Sequence, residues 1–138
     1  MKKFMIYSAM VLAALLAFAG CAPNTSSGTS ASAEASSAVQ MISAEDAKAL
    51  IGTEGVTLLD VRTQEEYDEA HIDGAVLLPY DAITADSAGL PADKDSAVIV
   101  YCRSGRRSAI AASTLISLGY TRVYDLGGIQ SWPYETVS

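Results

Sequence analysis

The spacing of apolar and polar residues changes character several times along the chain, and each change marks an element. Ala22 to Ala38 shows no apolar periodicity: it is Ser, Ala, Thr, Gly, Asn and Pro with one charge, Glu34. Such a segment has little to bury and reads as a flexible tether. A domain-like pattern begins at Val39. Val39–Ile42 is a short strand candidate; Ser43 with Asp46 three residues on is a helix start, and the helix runs through Ile51 to a stop at Gly52. Val56–Val61 is an almost wholly apolar run of strand length, as expected where both faces are covered. Thr63 and Glu66 repeat the capping pattern for a short helix, Gln64–Ala70. Ala75–Leu78 is another apolar stretch closed by Pro79, whereas Asp81–Leu90 reads equally as a helix or as turns, broken by Ser87, Gly89 and Pro91. Ala97–Tyr101 is the clearest strand and Ser108–Leu118, closed by Gly119, the clearest helix. Arg122–Asp125 predicts a last strand and Ile129–Trp132 a final helical turn.

Strands alternate with helices, with no internal repeat. That order predicts an α/β sandwich: a mostly parallel sheet flanked by helices, with its site beyond the carboxyl ends of the strands. Cys102 and Asp60 both stand at such ends.

The first residues have a different logic. Met1-Lys2-Lys3 is basic, Phe4 to Ala19 is apolar apart from Tyr7 and Ser8, and small residues follow: the layout of a secretory signal peptide. Phe18-Ala19-Gly20-Cys21 resembles the lipobox of bacterial lipoproteins, with Phe18 where Leu is usual. The resemblance implies cleavage before Cys21 and its acylation. It divides the chain into a signal peptide (1–20), a lipidated cysteine with its tether (21–38) and a domain (39–138), placed outside the cytoplasm on a bacterial membrane. A plain secreted protein or an uncleaved anchor is the alternative. The apolar run is shorter than the about 20 residues that an anchor needs.

Charge narrows the partners. Without residues 1–20 the chain carries seven basic and sixteen acidic residues, a formal charge of −9. That balance argues against nucleic acid, whose binding rests on neutralising phosphates. It also leaves acyl chains, not charge, to hold the protein at a membrane.

Two cysteines in an exported protein could pair, but an acylated Cys21 cannot, which makes Cys102 the one thiol of the domain. Cys102 stands where a strand gives way to a helix, near unpaired N–H groups and the positive end of a helix dipole, both of which favour thiolate. Cys102 to Arg107 forms a short loop whose successive N–H groups can converge on one anion, with Gly105 at the tightest point. Arg103, Arg106 and Arg107 add three cations to an acidic domain and concentrate small anions there. The bland alternative, arginines paired with surface acids around an inert buried thiol, leaves that coincidence unexplained.

Cys102-Arg103-Ser104-Gly105-Arg106-Arg107-Ser108 resembles the active-site loop of single-domain rhodaneses, the thiosulfate:thiol or thiosulfate:cyanide sulfurtransferases. Two further stretches are similar to the same family: Asp60-Val61-Arg62 with Glu66-Tyr67 and His71-Ile72-Asp73-Gly74-Ala75, and Leu126-Gly127-Gly128-Ile129 with Trp132. The resemblance spans Ser43 to Trp132 and implies a rhodanese-like three-layer sandwich. It also implies a mechanism: Cys102 takes the outer sulfur of a donor such as thiosulfate as a persulfide and passes it to a thiol, a protein thiol or cyanide. Loop residues 103–108 bind the anion, with hydrogen bonds from Ser104 and Ser108, and neither cofactor nor metal is required. Phosphatases and arsenate-handling relatives place an arginine six positions after the cysteine. Here that position is Ser108 and the last arginine is Arg107. A non-enzymatic persulfide carrier or docking module is the other reading. The remaining positions have supporting or pocket roles: Asp60 fixing loop geometry, as in the family, or facing the site, Arg62 and Glu66 as an ion pair, His71 organising the turn before Gly74 or lining the pocket, and Trp132 in the core or at a pocket rim.

Overall fold

The computed structural model describes residues 38–138. The expectations for the signal peptide, Cys21 and most of the tether lie outside the described residues. Among the described residues ten elements form: β1 (Gln40–Met41), α1 (Ala44–Leu50), β2 (Val56–Asp60), α2 (Gln64–Glu69), β3 (Val76–Leu77), β4 (Ala97–Cys102), α3 (Arg106–Ser117) and β5 (Arg122–Gly128), with short 3-10 turns at Tyr80–Ala82 and Ile129–Ser131. The ambiguous stretch after Pro79 is therefore one tight turn followed by irregular chain, as its Ser, Gly and Pro content favours.

The strands make one five-stranded sheet in the order β1-β5-β4-β2-β3, and every ladder is parallel. Central β4 is buried at all six positions, which is why it reads as a continuous apolar run. Its side chains alternate between two cores. Val98, Val100 and Cys102 join Leu59, Val61, Ala111, Ala112, Leu115 and Val123 under α3. Ile99 and Tyr101 join Ala47, Leu58, Ile72, Ala75 and Trp132 on the opposite face. Two-sided cover of a parallel sheet gives the three layers that the sequence predicts.

The first two helices start as their sequences indicate. Ser43 Oγ accepts the Asp46 N–H at 3.1 Å. Thr63 and Glu66 form a full capping box, each side chain accepting the other residue's N–H. α3 begins earlier than expected, at Arg106 and not Ser108. Gly105 is the reason: with φ of +102° it adopts the left-handed conformation that lets the chain leave β4 and enter the helix within three residues.

β5 also outruns its prediction. Its pairing with β4 slips between Val100 and Tyr101: Val100 faces Asp125 but Tyr101 faces Gly127, so Leu126 is an extra residue. Asp125 Oδ1 accepts the Gly127 N–H at 2.8 Å and stabilises the bend. This bulge brings Gly127 and Gly128 beside the end of β4, where the cysteine loop lies.

Candidate active site

Cys102 ends β4, and its side chain is 1% exposed. The chain turns at once through Arg103, Ser104 and Gly105 into α3, so the first N–H groups of that helix face back toward the sulfur. Gly105 N–H donates to Sγ at 3.0 Å. Burial pushes the thiol up, but hydrogen bonds from the N–H groups of Ser108, Gly105 and Ser104 and from the Ser108 hydroxyl outweigh it and hold the thiol below its ordinary value. Ser108 is fully buried at the third position of α3. Its Oγ also lies 2.9 Å from the Gly105 carbonyl, so one hydroxyl proton has two acceptors, the carbonyl and the sulfur.

The loop packs closely against β5. A Cβ on Gly128 would stand 2.5 Å from the Arg103 carbonyl oxygen and 2.8 Å from Ser104 Cα. Only glycine permits that approach. The Gly127-Gly128 pair is thus the backrest of the cysteine loop.

The three arginines divide. Arg107 is half-buried, its two terminal nitrogens bound to Glu66 at 2.6 and 2.8 Å. That contact holds the Glu66 carboxyl down to about 2 and raises Arg107, which the nearby Cys102 raises further. Arg103 and Arg106 are exposed, and neither forms an ion pair among the described residues.

The expected Arg62–Glu66 ion pair is not what forms. Asp60, two residues before Arg62, takes the guanidinium at 2.6 to 3.0 Å and the Arg62 backbone N–H at 3.0 Å. Glu66 turns instead to its own cap and to Arg107. Asp60 is fully buried and also accepts the Tyr101 hydroxyl at 2.7 Å, on the face of the sheet away from the cysteine. Arg62 donates to the Ala70 carbonyl at 2.7 Å and so joins the two ends of the β2–α2 segment. Asp60 and Arg62 therefore support the backbone and do not line the sulfur cradle.

His71 and Trp132 also lie apart from the sulfur. The His71 ring stacks on Tyr67 with centroids 3.7 Å apart, Nδ1 sits 2.9 Å from the Tyr67 carbonyl, and the backbone pairs with Val137. It secures a turn and the chain terminus. Trp132 is a core residue whose Nε1 donates to the Glu135 carbonyl at 3.4 Å. Among the described residues no group of three or more His, Cys, Asp and Glu could hold a metal ion.

Sequence reasoning missed Glu66 as the partner of Arg107, because 41 positions separate them and each has a nearer opposite charge. Gly128 carried a fainter signal: paired glycines at a strand end mark close backbone approach.

A nucleophilic sulfur, N–H donors converging on it and cations nearby can bind an anion and attack it. Comparison with known proteins agrees. Residues 43–134 match the family described as Rhodanese-like domain. A sulfurtransferase of Allochromatium vinosum is 43% identical over 84 residues, covering 60% of this chain and 77% of that protein. Thiosulfate sulfurtransferase PspE of Escherichia coli is 38% identical over 72 residues, covering 52% and 69% respectively. The solved rhodanese with anions from E. coli superposes with a TM-score of 0.55 at 33% identity, covering 60% of this chain and 98% of that one. With the parallel sheet, the cysteine loop and the matched residues in agreement, the chain belongs to the rhodanese-like domain family.

Proposed function

We propose that this protein is a sulfurtransferase that moves sulfane sulfur from thiosulfate or a similar anion to a thiol or cyanide through a Cys102 persulfide. One observation carries the reading: Cys102 Sγ sits in a ring of N–H donors, 3.0 Å from the nearest, with its thiol held below the ordinary value. In the first half-reaction the thiolate attacks the outer sulfur of the donor. The S–S bond of thiosulfate breaks, and sulfite leaves with its electron pair. The loop N–H groups and arginines stabilise negative charge throughout, so no separate base is needed. In the second half-reaction an acceptor nucleophile attacks the outer sulfur of the persulfide and Cys102 thiolate is the leaving group.

The sulfur-transfer reading is favoured over a degenerate docking module by the intact cysteine and its cradle, and over a phosphatase by the loop, whose last arginine follows Cys102 by five positions and is bound to Glu66. Mass spectrometry after thiosulfate treatment, with sulfite release measured in parallel, tests it. One added sulfur on Cys102 and loss of sulfite release in Cys102→Ser are expected; unmodified protein would sink the reading.

The site is further proposed to work outside the cytoplasm, tethered by acylated Cys21. The basic start, apolar run and lipobox-like ending support this. Labelled fatty acid should enter the wild type and not Cys21→Ala, and equal labelling of the two would exclude the tether.

A further inference from the structure

Of three arginines in the cysteine loop, two remain free for a ligand. Arg107 is committed to Glu66 by two hydrogen bonds. Arg103 and Arg106 are exposed and form no ion pair among the described residues. They stand one and four positions after the buried Cys102, in the loop that carries it into α3, while Arg107 is the arginine in contact with the sulfur itself.

The rest of the domain has the opposite sign. Residues 38–138 carry seven basic and fifteen acidic side chains, and Glu65, Asp68 and Glu69 are exposed on α2, the helix that supplies Glu66. A surface of that charge repels anions, and on its own it would favour cationic thiols over anionic ones. The loop is a local exception. When sulfite leaves after the first half-reaction, the charge it neutralised at the loop is exposed again. Resting on the persulfide reading above, we propose that the acceptor is a thiol with a negative group of its own close to the sulfur, and that Arg103 and Arg106 select it.

Transfer to such an acceptor balances without a further reagent. A lone pair of the acceptor thiolate forms the new S–S bond to the outer sulfur of the persulfide. The bond between that sulfur and Cys102 Sγ breaks, and its electron pair stays on Cys102 as thiolate, returned to its N–H donors. The sulfur departs as the acceptor's persulfide, with its negative group held by the free arginines until release.

The test uses the full-length chain loaded with thiosulfate, the added sulfur confirmed by mass. Transfer is then timed to three small thiols of similar size, each rate expressed per thiolate: 2-mercaptoethanesulfonate, 2-mercaptoethanol and 2-aminoethanethiol. The sulfonate should react about three- to tenfold faster than the alcohol at low ionic strength, the amine slowest, with the spread shrinking as salt is added. Arg103→Gln and Arg106→Gln should each narrow the sulfonate-to-alcohol ratio, and the double variant should abolish it. Arg122→Gln, the same charge change at the far end of the sheet, should leave the ratio as it is. Equal rates, the reverse order, or a ratio that Arg122→Gln lowers as much as the loop variants would overturn the proposal. A flat order on the loaded wild type removes only the acceptor class, whereas failure of the wild type to load removes the persulfide reading and this proposal with it.

Discussion

Glu66 and Arg107 meet in a two-bond ion pair, at 2.6 and 2.8 Å, that joins α2 to the cysteine loop. The same carboxylate accepts the Thr63 N–H at 3.3 Å, so one side chain both caps a helix and positions the arginine beside the nucleophile. A guanidinium held by two bonds to one carboxylate cannot rotate freely, which fixes the charge that Cys102 feels.

This pair makes stability depend on acid. The Arg107 hydrogen bond holds Glu66 at about 2 in the folded chain, against an ordinary value of 4.5. A depressed carboxyl contributes fully above its unfolded value and loses that contribution as pH falls toward its folded one. With solvent screening of a partly exposed pair, Glu66→Gln should cost on the order of 1–2 kcal/mol near neutral pH. The gap between wild type and variant should close as pH drops from 4.5 toward 2. Urea denaturation at several pH values measures it, and a gap that stays constant across that window would show the pair to be irrelevant.

The Cys102 thiol should titrate below its ordinary 9.0, because N–H donors and the Ser108 hydroxyl outweigh burial. The pH dependence of alkylation by a small reagent reports the midpoint directly. Ser108→Ala removes one of the donors that hold the thiol down and should move that midpoint upward. An unmoved midpoint would mean that the hydroxyl proton stays on the Gly105 carbonyl and never serves the sulfur.

Much of this arrangement could be read from the residues because it is local in the chain. The apolar run of β4, the capping pairs at Ser43 and Thr63, and the cysteine followed by glycine and arginines each sit within a few positions, so spacing alone displays them. What escaped is long-range or depends on competition between partners. Arg62 has two carboxylates nearby in sequence, and only burial decides for Asp60, which lies within the core while Glu66 lies at the rim. The earlier start of α3 follows from the left-handed Gly105, a conformation that residue identity permits but does not impose. The length of β5 follows from a register slip against β4, which no property of β5 alone reveals.

The buried network behind the sheet should matter to folding more than to chemistry. The Tyr101 hydroxyl donates to Asp60 and accepts the Ile72 N–H at 3.1 Å. Tyr101→Phe leaves that N–H unpaired in the core, a loss of about 1–3 kcal/mol. Asp60→Ala strands a buried guanidinium and should cost more, about 3–5 kcal/mol. Thermal or urea unfolding would rank them. A Tyr101→Phe protein as unstable as Asp60→Ala would show that the hydroxyl, not the ion pair, carries the network.

Gly128 offers the sharpest separation of site geometry from stability. A methyl group there would press on the Arg103 carbonyl and on Ser104 Cα, both backbone and neither able to rotate away. The loop has to shift by several tenths of an ångström, which moves the Ser104 and Gly105 N–H groups off the sulfur. Gly128→Ala should therefore lower sulfur transfer by about 10- to 100-fold, the scale on which small misplacements of reacting groups act. The same variant should raise the Cys102 alkylation midpoint, because fewer donors then stabilise the thiolate. Gly52→Ala is the comparison: φ there is +85° but nothing lies within 4 Å of the added carbon. It should lose about 1 kcal/mol of stability through backbone strain alone and keep its transfer rate. If both variants lose stability alike and both keep full transfer, contact with β5 does not shape the loop. If Gly128→Ala alone loses transfer, the paired glycines at the end of β5 belong to the sulfur site as its backbone support.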